Sequence, residues 1–138
     1  MAKQRFERNT RQRTVILDQL RQSTSHPTAT ELYDLVRRRL PKISLGTVYR
    51  NLDLLARLGM IQRLETAGTE TRFDGTVRPH DHVRCLGCGR IDDLAGPPLE
   101  LSLENYHEPA GYRVLGHRLE WQLRQQWNCL CRGSRRDY

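Results

Sequence analysis

Apolar side chains recur at helical spacing in three separate stretches of the first sixty residues. The first, residues 11–22, carries Val15, Ile16, Leu17 and Leu20 as its apolar side. The second opens on a sharper signal. In Thr28-Ala-Thr-Glu31 the threonine hydroxyl can accept from the amide of Glu31 while the glutamate reaches back, a capping box. Leu32, Leu35, Val36 and Leu40 follow at i, i+3, i+4 and i+8, which predicts one buried helical face. Pro41 predicts its end, because the residue before proline is driven out of the α region. Ser44 predicts the cap of a third helix, with Leu45, Val48, Leu52 and Leu55 as its inward stripe and Gly59 as its stop. Thr47, Tyr49, Arg50, Asn51 and Arg57 then face outward. Two β-like stretches, residues 60–65 and 70–74, flank an Ala67-Gly68 turn and predict a hairpin.

Three short helices, a tight turn into the third, and a hairpin give the order of a winged helix-turn-helix, whose third helix enters the major groove. A small helical domain that binds protein has the same elements, so charge has to discriminate. The chain carries a net +7, and residues 1–74 hold 14 Lys and Arg against 8 Asp and Glu, whereas residues 75–138 hold 9 against 8. The excess coincides with the helical half, which favours duplex DNA as its partner. Arg11, Ser44, Thr47, Tyr49 and Arg50 are the expected contacts, being groups suited to phosphates and base edges.

After residue 79 the sequence changes character. A strand is expected over residues 80–86, where alternation sends His80 and His82 to one face and Asp81 to the other. His-x-His with carboxylates nearby is a metal-ligand pattern. Cys85-Leu-Gly-Cys88 allows two thiolates to grip one ion, while Gly87 and Gly89 relieve the backbone so that its N–H groups can turn towards sulfur. One such pair is half of a structural Zn²⁺ site, and Cys129 and Cys131 are the only other thiols. Ile91, Leu94, Leu99, Leu101, Leu103 and Tyr106 predict a helix packed on a sheet, with Pro97-Pro98 before it and Pro109-Ala-Gly111 ending it. A short strand over residues 112–119 follows. The whole chain therefore reads as α+β, with a winged-helix DNA-binding domain (1–74), a hinge (75–79) and a small α/β dimerisation and metal-binding domain (80–138) whose β edges suit a homodimer.

Composition narrows the setting. No apolar run approaches the roughly 20 residues of a membrane span, and no secretory h-region is present. Four cysteines without an export signal read as metal thiolates in a reducing cytoplasm rather than as disulfides. With 138 residues shared between two small domains, each core is small, and dimerisation or a structural metal would add stability.

The ordered motifs resemble the ferric uptake regulator family over about residues 8–120. The carriers are His26-Pro27-Thr28-Ala29, Ser44-Leu-Gly-Thr-Val-Tyr-Arg-Asn-Leu52, Arg72-Phe73-Asp74, His80-Asp-His82, Cys85-x-x-Cys88-Gly-Arg-Ile, Gly111-Tyr-Arg-Val and His117-Arg-Leu-Glu120. The resemblance implies a regulatory Fe²⁺ or Mn²⁺ site at the hinge, with His26, Asp74, His80, His82 and Asp93 as ligands and Asp92 as the alternative to Asp93. Aspartate at both carboxylate positions is similar to the peroxide-sensing branch, in which a ligand histidine, here His26 or His80, is oxidised and the repressor opens. A second site of the family would use Asp81, Glu100 and His117; Pro79 stands where a further histidine is often found, so that site is expected to be weak or unused.

The tail departs from the family. Its second cysteine pair is displaced and shortened to Cys129-Leu-Cys131, which leaves three outcomes open: a closed four-cysteine Zn²⁺ site, an incomplete one, or a different pairing in the dimer. Arg132, Arg135 and Arg136 make the end basic. The rival functions are an iron-responsive, zinc or nickel regulator of the same family, a zinc-ribbon interaction module, and a zinc hydrolase. The last would need an open metal position beside a poised acid or base, and the spacing supplies no separate one.

Overall fold

The computed structural model describes residues 2–23, 25–66, 68–100, 102, 107–113 and 119–123, with backbone alone for 2–9 and 123. The chain divides into two compact units, Met1–Arg78 and Pro79–Tyr138.

In the first unit, helix α1 spans Ala2–Gln22. It starts well before residue 11, because residues 2–10 hold no proline or glycine and are rich in good helix formers, so nothing stops the helix upstream of its apolar stripe. Helix α2 spans Ala29–Val36 behind the expected capping box: Thr28 Oγ1 accepts from the Glu31 amide at 3.2 Å, and Glu31 Oε2 accepts from the Thr28 amide at 2.9 Å. It ends at Val36 rather than beside Pro41. The Val36 carbonyl accepts from both the Arg39 and Leu40 amides, at 3.0 and 2.9 Å, so the chain leaves the helix through a tight turn. Leu40 reaches the core from that turn instead of from the helix.

Helix α3 spans Leu45–Arg57, and Ser44 Oγ accepts from the Thr47 amide at 3.2 Å. Val48, Leu52 and Leu55 are fully buried against α1 and α2, each contributing about 1.5–3 kcal/mol. Gly59 ends the helix at φ +67°, a conformation glycine adopts without steric cost. Its amide donates to the Ala56 carbonyl and the Met60 amide to the Leu55 carbonyl, both at 3.0 Å, a Schellman ending. Strands β1 (Gln62–Leu64) and β2 (Arg72–Asp74) pair antiparallel with Arg63 opposite Phe73, and Phe73 is buried in the helical core. The hairpin is shorter than its β-like flanks predict. The Thr66 carbonyl accepts from the amide and hydroxyl of Thr69, so these residues belong to the turn. Helices and wing together form a winged helix-turn-helix.

In the second unit, β3 (His82–Cys85) is central, flanked by β4 (Ile91–Asp93) antiparallel and β5 (Glu120–Leu123) parallel. The strand begins at His82 and not at His80, and it stops at Cys85, whose carbonyl accepts from the Gly89 amide at 2.8 Å across a turn. Strand β5 lies beyond the strand expected over 112–119: Tyr112 and Arg113 are outside any strand, and 114–118 lie outside the described residues. Pro109-Ala-Gly111 does form a turn, with the Tyr112 amide donating to the Pro109 carbonyl. Of the expected helix, Leu101, Leu103 and Tyr106 lie outside the described residues, and Leu99 is exposed. The described architecture is α+β, and among the described residues no helix is long and apolar enough to cross a membrane.

Candidate functional site

Two residues of the first unit carry one part of the expected ligand set. His26 sits in the loop between α1 and α2, and Asp74 ends β2; both are buried. The Phe73 amide donates to the Pro27 carbonyl at 3.0 Å, and Thr28 bridges to Arg72, so the loop runs beside β2. That pairing brings His26 Nδ1 to 3.7 Å from Asp74 Oδ1. The distance exceeds a hydrogen bond, whereas donors about 2.1 Å from one ion lie roughly 3–4 Å apart. The Thr76 amide donates to Asp74 Oδ1 at 2.7 Å, which offsets part of the cost of burying this carboxylate.

The second unit supplies three more. Asp93 on β4 stands opposite His82 on β3, and its Oδ1 lies 3.0 Å from His80 Nε2 and 3.7 Å from His82 Nε2. The two imidazoles meet edge to face with centroids 4.5 Å apart, although only His82 is in the strand. One donor atom from each of His80, His82 and Asp93 lies within 4.8 Å of the others. Asp92 stands opposite Val83 and accepts from Arg90 Nε at 2.9 Å, so Asp93 is the aspartate that meets the histidines. Imidazoles with carboxylates and no thiolate are a donor set that suits Fe²⁺ or Mn²⁺.

Asp81 precedes β3 and is engaged elsewhere. Its Oδ2 accepts from the Leu99 amide at 3.2 Å and from Trp121 Nε1 at 3.4 Å. Glu100 is exposed, and His117 lies outside the described residues.

Cys85 closes β3 and Cys88 ends the turn after it. The amides of Cys88 and Gly87, and the Cys88 side chain, hold the Cys85 thiol below the usual thiol range, against burial and the Asp92 charge, which raise it. Gly89 takes φ +73°, the conformation anticipated for a backbone that turns its N–H groups to sulfur. This suits one half of a Zn²⁺ site. Cys129 and Cys131 lie outside the described residues.

On α3, Tyr49 and Arg50 are exposed. Arg50 Nη2 donates to Thr47 Oγ1 at 3.1 Å, and Thr47 Oγ1 meets Ser44 Oγ at 2.9 Å, so both hydroxyls are engaged at the helix start. Arg11 is exposed on α1.

The inward face of β3 is where sequence reasoning fell short. His82 and Arg84 are buried while Val83 is only half-buried, the reverse of an apolar-in pattern. Arg84 makes a two-pronged ion pair with Glu120 of β5, Nε to Oε1 at 2.6 Å and Nη2 to Oε2 at 3.1 Å. The available signal was Arg84 two positions after His82 on the same strand face.

The sequence profile of the ferric uptake regulator family matches residues 5–122. The peroxide operon regulator of Bacillus subtilis is 35% identical over 113 residues, covering 82% of this chain and 78% of that protein. The peroxide stress regulator of Campylobacter jejuni superposes with a TM-score of 0.70 at 28% identity, over 94% of this chain and 96% of that one. A zinc-bound manganese uptake regulator superposes with a TM-score of 0.62 at 32% identity, over 83% and 87%.

Proposed function

The chain belongs to the ferric uptake regulator family, and on that premise we propose that it is a metal-dependent transcriptional repressor that senses peroxide. Membership sets it among transcriptional regulators and apart from the hydrolase and zinc-ribbon readings. In this proposal residues 1–74 bind operator DNA, 75–79 are a hinge, and 80–138 dimerise and hold metal. The homodimer reads an inverted repeat, since two-fold protein symmetry is mirrored in the operator. Because it acts on DNA and relies on reduced thiols, its place is the cytoplasm.

The observation that carries the reading is the convergence of His80, His82 and Asp93 in one unit, together with the buried His26–Asp74 pair in the other. We assign all five to a single Fe²⁺ or Mn²⁺. Ligands drawn from both domains make the arrangement of the DNA-binding heads depend on occupancy, and so make occupancy control operator affinity. Cys85 and Cys88, joined by Cys129 and Cys131, are assigned to a structural Zn²⁺. Asp81, Glu100 and His117 are assigned at most a weak second site, because Pro79 stands where a further histidine would complete it. Bound Fe²⁺ would activate hydrogen peroxide beside the ligand imidazoles, so that one peroxide oxygen would pass to an imidazole carbon, a two-electron oxidation, while the other would leave as water. His26 and His80 are the side chains assigned to take up oxygen, and an oxidised imidazole is a lost ligand.

The test is a gel shift on operator duplexes with Mn²⁺ and then Fe²⁺, each with and without hydrogen peroxide, followed by mass spectrometry of the His26 and His80 peptides. The expected result is loss of binding in the iron form alone, with one added oxygen on either peptide. Binding that follows Fe²⁺ but leaves both peptides unoxidised would select an iron-responsive regulator.

A further inference from the structure

His26 has no regular secondary structure to hold it, yet it presents a buried imidazole to Asp74. Three consecutive residues of β2 account for this. Asp74 is the ligand, the Phe73 amide fixes Pro27, and Arg72 reaches back to His26 itself. Arg72 Nη1 donates to the His26 carbonyl at 2.9 Å and to Glu31 Oε2 at 3.0 Å. The same Glu31 oxygen accepts the Thr28 amide of the capping box at 2.9 Å. The Arg72 side chain is 14% exposed, so it is held between loop, helix start and strand.

Resting on the function proposed above, we propose that Arg72 is a positioning residue for the regulatory metal. It clamps the His26 loop to β2 so that His26 and Asp74 form a half-site within the DNA-binding unit, and it ties that half-site to the start of α2. Glu31 completes the device. A guanidinium beside a dication site disfavours the ion, and the Glu31 carboxylate cancels that charge while orienting the group. Charge-assisted hydrogen bonds of this kind are the stronger class, and one oxygen serving both cap and clamp links them. The loop, α2 and the wing therefore shift together when either ligand shifts.

The experiment titrates Mn²⁺ into full-length wild type, Arg72→Gln and Glu31→Gln, following free Mn²⁺ by electron paramagnetic resonance. Glu31→Gln keeps the cap, because glutamine serves at that position of a capping box, but removes the neutralising charge. Loss of a partner bonded to the ligating group itself costs about 10- to 100-fold in metal affinity; Arg72 holds the His26 backbone instead, so Arg72→Gln is expected to bind Mn²⁺ about tenfold more weakly. Glu31→Gln is expected to weaken it severalfold. The metal-free melting temperature should fall by several degrees in Arg72→Gln, which loses charge-assisted hydrogen bonds at a largely buried side chain, and barely in Glu31→Gln, whose carboxylate is half exposed. Wild-type Mn²⁺ affinity in Arg72→Gln overturns the inference, as does a fall in metal-free melting temperature with Mn²⁺ affinity intact. If Arg72→Gln fails to fold, unchanged affinity in Glu31→Gln overturns it equally. Absence of saturable Mn²⁺ binding in the wild type would count instead against the proposed function.

Discussion

Replacing Glu120 with glutamine should destabilise the second unit severely for a near-isosteric change. The Arg84 and Glu120 side chains are 6% and 16% exposed and meet through two charge-assisted hydrogen bonds across β3 and β5. Removing one member of a buried pair costs about 3–5 kcal/mol, because the remaining charge stays buried without its counter-charge. Glu120 retains some access to water and glutamine keeps one acceptor, which brings the expected loss to about 2–3 kcal/mol. In a unit as small as Pro79–Tyr138 this corresponds to a melting temperature lower by roughly 10–20 °C. Differential scanning calorimetry on the reduced protein, with metal content matched, reads it directly. The double variant Arg84→Met/Glu120→Leu should recover much of the loss, because it removes both charges and not just one. A Glu120→Gln transition within about 2 °C of wild type would refute this reasoning and mean that the pair is hydrated in solution.

Three further outcomes follow from particular contacts. A Cβ on Gly75 would meet the Arg21 backbone nitrogen at 3.0 Å and Cα at 3.1 Å, so Gly75→Ala should lower the urea midpoint of the first unit by an amount worth about 1–3 kcal/mol. Arg50→Ala should weaken binding to every duplex and reduce the slope of log affinity against log salt by about 0.9, as measured by fluorescence anisotropy; an unchanged slope would argue against α3 as the recognition helix. Cys88→Ser should abolish retained zinc, read by atomic emission after gel filtration, and full zinc retention would remove Cys88 from that site.

The first unit was largely legible in the sequence because its information is local. Thr28 with Glu31, Ser44 before an apolar stripe, and Gly59 after it each determine a helix end within a few residues, and the structure realises all three. What local pattern missed there were extensions and endings. Nothing upstream of residue 11 halts α1, and α2 releases at Val36 through a turn that no proline or glycine marks. The second unit was harder, because its buried strand face is polar. A strand is expected over residues 80–86, and β3 falls inside it. His82 and Arg84, however, point inward with acidic partners from β4 and β5, so hydrophobic alternation does not tell which face of β3 is buried, and Glu120 as an inward residue hides β5. Spacing identified His80, His82 and Cys85-x-x-Cys88, since residues two or three apart are geometrically bound to each other. It could not join His26 to Asp74, which are separated in sequence by two helices and the hairpin. Only the resemblance linked them, and the Pro27–Phe73 hydrogen bond supplies the physical reason.

In the function proposed here, metal held by His26, Asp74, His80, His82 and Asp93 controls DNA affinity. The most direct test is the Kd for an operator duplex, measured by anisotropy at fixed salt, for zinc-replete protein with and without Mn²⁺ and for His82→Ala with Mn²⁺. Mn²⁺ is expected to tighten wild-type binding at least about tenfold, within the usual range of allosteric coupling, and His82→Ala to gain nothing from it. Equal Kd values for wild type with and without Mn²⁺ would contradict the proposed function.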